Sequence, residues 1–282
     1  MSKSESKDMS LWEHLDELRG VLIRCLAAWI AASVVLFFFR DAIFTVLFAP
    51  SNDSFCLYRA LCRLGELTGI SGMCPPPVSV NFISTELTGQ FLTHMKVAMY
   101  GGLLIAFPYI VLQLYSFVSP ALYERERRLS VRLTVTACAL FFAGVLVSYF
   151  LIFPLSFRFL AGYQVLPEVA NTITLTSYVA SFTVMSLLMG LLFEIPIVVR
   201  FLAATGLVSA DVLRHYRKHA LVVIMIFAAV ITPTGDPFTL IIVTLPVYAL
   251  YAVSVHIADK RADTFKEGKT TTEDASTQTK SE

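Results

Sequence analysis

Charge is scarce in this chain of 282 residues: Asp, Glu, Lys and Arg make up 15% of it, against 56% hydrophobic residues. Soluble domains carry about 25% charged and 45–50% apolar residues, so the composition excludes a fold whose surface is covered by water. The formal net charge of +1 supplies no excess of positive charge for a nucleic acid. Motifs are missing as well. The chain has no Cys-x-x-Cys, no His-Glu-x-x-His, no Gly-x-Gly-x-x-Gly, and no Gly-rich loop ending in Lys-Ser or Lys-Thr. A thiol-redox pair, a zinc protease centre and the common nucleotide cradles each need one of these spacings. No cofactor and no metal are expected.

What is present is a series of long apolar runs. A bilayer core takes about 20 apolar helical residues. Six runs are read as spans: about 21–39, 97–118, 133–157, 178–204, 220–231 and 238–257. They are continuous and lack period-two alternation, so helices are expected rather than barrel strands. The first run is interrupted only by Arg24, which sits one turn inside and can carry its charge back to the surface. The run is longer than the ~7–15-residue core of a secretory leader, and no small-residue cleavage site follows. The fifth run is short, roughly 18 Å at 1.5 Å per residue against a core of about 30 Å. It is expected to end below the far membrane surface or to thin the bilayer locally. A membrane domain over 1–258 is therefore followed by a polar tail, 259–282, whose composition favours disorder.

Lys and Arg orient the spans. One side receives residues 1–20, 119–132, 205–218 and the tail, together with Arg24 and Arg200. The other side keeps only five of the 22 basic residues: Arg40, Arg59, Arg63, Lys96 and Arg158. Both termini are expected in the cytoplasm, and a long polar loop, 40–94, on the outside. That loop holds Cys56, Cys62 and Cys74 and then Pro75-Pro76-Pro77. An oxidising exterior permits disulfides, so two of the three cysteines are expected to pair, which two being open. A metal site is disfavoured because no His lies among them. Cys25 and Cys138 lie in apolar runs and read as small core residues.

Charges in or beside spans need a reason, because a charge at depth costs a few kcal/mol. Glu194, in Leu191-Leu192-Phe193-Glu194-Ile195-Pro196, lies well inside the fourth run. It is either a polar contact on a concave face or a packing residue bonded to a neighbouring helix. Asp236 sits in the outer turn 232–237 and reads first as a turn residue beside Gly and Pro. Glu17 and Glu126 stand on the basic side, before the first run and after the second. Taken alone, Glu17 suits a helix N-terminus and Glu126 suits pairing with Arg127 or Arg128.

The segments carrying these residues resemble a known family. Gln113-Leu114-Tyr115-Ser116-Phe117-Val118-Ser119-Pro120-Ala121-Leu122, followed by Tyr123 and Glu126-Arg127-Arg128, resembles the signature of the TatC family, as does His14-Leu15-Asp16-Glu17-Leu18-Arg19. Further matches are Ala49-Pro50, Phe153-Pro154-Leu155, Phe193-Glu194-Ile195-Pro196, and Thr232-Pro233 through Asp236. The resemblance runs from about 11 to 258. Three features depart from it: Tyr115 stands where Trp is usual, Gly20-Val21 stands where a basic pair is common, and the Cys-bearing loop is longer than usual.

The resemblance implies an all-α, cup-shaped, concave bundle of six transmembrane helices in the bacterial cytoplasmic (inner) membrane. It implies a receptor and core subunit of the twin-arginine translocase, which exports folded proteins using the proton motive force. The implied partners are the single-span proteins TatA and TatB, the twin-arginine signal peptides of folded precursors, and further copies of the chain in a receptor complex. Carried over residue by residue, it makes Glu17 and Glu126 the contacts for the arginine pair. It marks Arg19, Pro50, Phe117, Glu194 and Asp236 as functionally sensitive. The chemistry fits, since a carboxylate takes a guanidinium bidentately and Lys does not imitate that.

Other classes find less in the residues. A secondary transporter of a small solute is the alternative, but the two halves show no convincing repeat. An intramembrane enzyme needs paired catalytic groups at depth, and no run offers a pair.

Overall fold

The computed structural model describes residues 11–69, 74, 81–118, 127–166, 171–204, 215, 217–232 and 236–255. Among them the fold is almost wholly helical. The order is α1 (Leu11–Phe37), α2 (Arg40–Phe48), α3 (Cys56–Thr68), α4 (Gly89–Val118), α5 (Arg127–Val147), α6 (Phe153–Gly162), α7 (Leu175–Leu192), α8 (Ile195–Ala204), α9 (Arg217–Ile231) and α10 (Pro237–Val255). Two-residue strands β1 (Phe82–Ile83) and β2 (Ile173–Thr174) pair in parallel.

Five stretches are long and apolar enough to cross a membrane: Leu15–Phe37, Gly89–Phe117, Thr134–Gly162, Leu175–Val199 and Pro237–Val255. A sixth apolar helix, Lys218–Ala229, is shorter. Large side chains along α1 face outward, with Leu22, Leu26, Ile30 and Val34 each more than half exposed. In water such a stripe would be a severe liability. In lipid it is the expected exterior, and this is a membrane protein.

The chain folds into two compact units. The first takes in the described residues of Met1–Ala49, Asn81–Ala139 and Thr172–Val179. Its main packing is α1 on α4. The Trp29 indole donates to the Met99 carbonyl at 2.8 Å, the ring of His94 stacks on Phe37 at 4.1 Å, and Gly102 lies under Ser33. A Cβ on Gly102 would come within 2.6 Å of the Ser33 backbone nitrogen, so only glycine permits this approach. From Ser33–Gly102 through Leu36–Gly101 to Phe37–His94 the paired positions descend in α4 as they rise in α1, so the two helices run antiparallel. The Tyr178 hydroxyl donates to the Leu47 carbonyl at 2.9 Å and its ring stacks on Phe48.

The second unit takes in the described residues of Pro50–Val80, Leu140–Asn171 and Ala180–Glu282. Phe141, Ile152 and Met189 are fully buried in it, and Phe153 meets Phe182 edge to face at 5.0 Å. Gly144 and Gly190 allow the close approach here: added Cβ atoms would strike the Met189 carbonyl and the Phe141 ring.

Three expectations are amended. The 40–94 stretch is not a plain polar loop, because α2, α3 and the first turns of α4 lie in it. Phe55 enters α3 in an extended conformation, and Gly69 ends it at φ 71°, a left-handed cap that suits glycine. The third span continues to Gly162 through a wide π turn, Ser148–Ile152. That turn falls just before Pro154, which has no N–H to continue an α ladder. The fourth run is two helices, α7 and α8, with a break at Phe193-Glu194. Pro196, in the first turn of α8, forces the break and tolerates the position. The segments at 205–214 and 233–235 and the 259–282 tail lie outside the described residues.

Candidate functional site

The first turns of α1 carry the acidic and basic pair singled out in the sequence. Arg19 is exposed and Glu17 half-buried. One carboxylate oxygen of Glu17, Oε2, is shielded and has no hydrogen-bond partner among the described residues. A shielded acceptor is costly to leave without a donor, and none of the described residues supplies one. The antiparallel pairing brings the last turn of α4 to the same end, and half-buried Phe117 lies there. Glu126, on the chain just beyond, lies outside the described residues.

In the second unit, Glu194 occupies the break between α7 and α8. Its carbonyl accepts from the N–H groups of Ile197 at 3.0 Å and Val198 at 3.1 Å, so its backbone opens α8. Its side chain is half-buried, and Oε1 has no hydrogen-bond partner among the described residues. The bonded-packing reading of Glu194 therefore finds no partner within the described chain.

Asp236 has a defined local role. Its Oδ1 accepts from the Thr239 N–H at 2.7 Å, Pro237 follows it as the first residue of α10, and its carbonyl accepts from Leu240 at 3.1 Å. This is an N-cap with proline at the first helical position. Asp236→Ala is expected to lower stability by about 1 kcal/mol, while Asp236→Ser keeps most of it. Thermal unfolding of the purified protein in detergent checks this. Equal stability in the alanine and serine variants would contradict the capping role.

Pro50 is fully buried in the 3₁₀ turn after α2. Its carbonyl and that of Pro154 share the Tyr58 hydroxyl, at 2.8 and 3.1 Å. Burial pushes the Tyr58 phenol above its usual range and the Arg158 guanidinium acts against this, so the phenol stays protonated and donating. Arg158 lies 4.2 Å over the Tyr58 ring and pairs with Asp53. Cys62 and Cys74 are disulfide-bonded and Cys56 is an exposed free thiol. Together Asp53, Tyr58, Arg59, Arg63, Arg158 and the disulfide border a cavity of about 410 Å³, with Glu66 completing its wall. Sequence reasoning missed this cluster. Its one signal was Arg158, a lone basic residue near the end of an apolar run. Among the described residues no group of His, Cys, Asp and Glu could hold a metal ion.

Comparison with known proteins bears on the whole arrangement. Residues 13–246 match the family model TatC, the Sec-independent protein translocase protein. The TatC protein of Blattabacterium from Periplaneta americana is 34% identical over 259 residues, covering 91% of this chain and 97% of that protein. The TatC protein of Escherichia coli K12 is 31% identical over 247 residues, covering 86% and 85%. A crystal structure of the twin-arginine translocase receptor TatC in the detergent DDM superposes with a TM-score of 0.71 at 27% identity, covering 87% of this chain and 99% of that one. The small-solute transporter reading is set aside. With the family model spanning most of its length and a fold that superposes on a solved relative, the chain belongs to the TatC family of Sec-independent protein translocase proteins.

Proposed function

We propose that this chain is the signal-peptide receptor and core subunit of a twin-arginine translocase, exporting folded proteins across the bacterial inner membrane. The observation that carries the reading is the Glu17 carboxylate, half-buried at the start of the first span with one oxygen that has no donor among the described residues. A guanidinium from the signal peptide's arginine pair supplies it. Glu126, which follows α4 in the sequence, takes the second guanidinium. The match to solved proteins described as twin-arginine translocase receptors supports the same assignment.

In this reading six helices cross the membrane, with Lys218–Ala229 as the short fifth, and both termini lie in the cytoplasm. That orientation follows the distribution of Lys and Arg. TatA- and TatB-type single-span proteins dock within the membrane, further copies join the receptor complex, and the proton motive force drives transport. Glu194, with an oxygen that none of the described residues meets inside a span, offers a polar handle to a partner or signal helix. Pro50 and Asp236 act through the turn and cap they form, while Arg19 and Phe117 flank the signal-peptide end.

Deleting the gene and following a folded precursor with a twin-arginine signal tests the assignment. The precursor is expected to remain in the cytoplasm and to be exported again when the gene is restored. Export undiminished in the deletion strain, with no second gene of the family present, would overturn it.

A further inference from the structure

We propose that the cavity beside α3 binds a phosphate anion presented by the headgroup of an anionic phospholipid. Arg59 and Arg63 stand four residues apart and so on one face of α3. Both line the cavity and are exposed, and neither has an ion pair among the described residues. The floor is Arg158, whose side chain is 7% exposed and is held by Asp53 and the Tyr58 ring. Two free guanidinium forks over a fixed third are a phosphate-binding arrangement, since Arg matches phosphate oxygens bidentately. At about 410 Å³ the cavity is at the scale of small-molecule sites.

Depth and polarity favour a lipid as the source of the phosphate. Arg158 is four residues from Gly162, where the third span ends, which is roughly 6 Å along a helix. The cavity therefore opens at headgroup height. Leu57, Leu61 and Leu64 form a stripe on α3, Leu67 extends it, and Leu64 and Leu67 are 47% and 83% exposed. A short helix with arginines on one side and exposed leucines on another lies in a membrane interface. The Cys62–Cys74 disulfide ties the wall of the cavity to α3, so the site is preformed. The Glu66 carboxylate in that wall opposes an anion and sets the affinity below what the arginines alone would give.

Native mass spectrometry of the delipidated full-length protein in mixed micelles tests this, with phosphatidylglycerol and phosphatidylcholine as competing probes. The wild type is expected to retain phosphatidylglycerol in preference to phosphatidylcholine. The Arg59→Gln, Arg63→Gln double variant should lose that preference by about tenfold or more, the scale of one lost charged hydrogen bond. Glu66→Gln should strengthen it, and added salt should weaken it. In a parallel arm, inorganic phosphate is titrated into protein held in phosphatidylcholine micelles. A saturable thermal stabilisation that needs Arg59 and Arg63, without any lipid preference, would make free phosphate the ligand and overturn the lipid assignment. Equal retention of both lipids with no phosphate effect, or a preference unchanged in the double variant, would overturn the site altogether.

Discussion

Glu126→Arg is expected to insert and assemble normally yet lose its crosslink to a twin-arginine signal peptide. The receptor reading makes this carboxylate one of two that meet the arginine pair. Reversing its charge removes a charged hydrogen bond worth about 1.5–3 kcal/mol and sets a like charge in its place. The first term alone is roughly one to two decades in affinity, and repulsion at a partly dehydrated interface adds to it. The competing reading pairs Glu126 with Arg127 or Arg128 inside the chain. It requires the same variant to lose abundance or assembly instead. Steady-state level and crosslinking yield, measured together, separate the two, and Glu124→Arg is the control for charge added to the same segment. Glu17→Gln should lower crosslinking less, since it removes one charged contact without setting a repelling charge in its place. Full crosslinking in Glu126→Arg would eliminate the receptor role of this residue, whatever its abundance.

The five long apolar spans were legible because hydropathy reports on long uninterrupted runs, which is how lipid-exposed helices must be written. The shorter elements were not. In α3, Arg59, Arg63 and Glu66 alternate with Leu57, Leu61 and Leu64, so the stretch averages to a polar loop although its helical period is plain. At the start of α4, Thr93, His94 and Lys96 look like the end of a loop. Yet Thr93 is buried, and His94 stacks on Phe37 of α1 and meets Phe44 of α2, contacts that lie far from it in sequence. Pro196 signalled a disturbance in the fourth run, but a proline there marks the start of a helix as readily as a kink within one. For the candidate site, Asp236 reads in the sequence as a turn residue beside Gly and Pro, and the capping bond it accepts from Thr239 is likewise local. Glu17 and Glu194 stood out by charge alone, while the lack of a partner for one oxygen of each among the described residues depends on neighbours that no local pattern encodes. The pairing of Arg158 with Asp53 spans 105 positions of sequence, a separation at which no local signal survives.

Asp53→Ala is expected to be among the most destabilising changes outside the spans. The Arg158 side chain is 7% exposed, and Asp53 provides its charged partner. Removing one member of a buried pair leaves an uncompensated charge and costs about 3–5 kcal/mol. The low end applies here, for two reasons. Asp53 itself is 55% exposed, so part of the pair is already screened by water, and the Tyr58 ring still faces the guanidinium at 4.2 Å with a cation–π attraction of about 1–2 kcal/mol. A loss near 3 kcal/mol corresponds to a fall in Tm of roughly 6–12 °C for a chain of this size. The Arg40–Asp41 pair, at 3.3 Å and 68% and 92% exposed, is the natural control. Asp41→Ala should shift stability by no more than about 0.5 kcal/mol. Because the cost comes from the stranded guanidinium, adding Arg158→Met to Asp53→Ala should recover much of it, as apolar replacements of buried ion pairs do. Thermal unfolding of the four proteins in one detergent reads all of these at once. If Asp53→Ala matches Asp41→Ala, or if Arg158→Met deepens the loss, the pair does not anchor α3 to the end of the third span, and the cavity beside it loses its fixed floor.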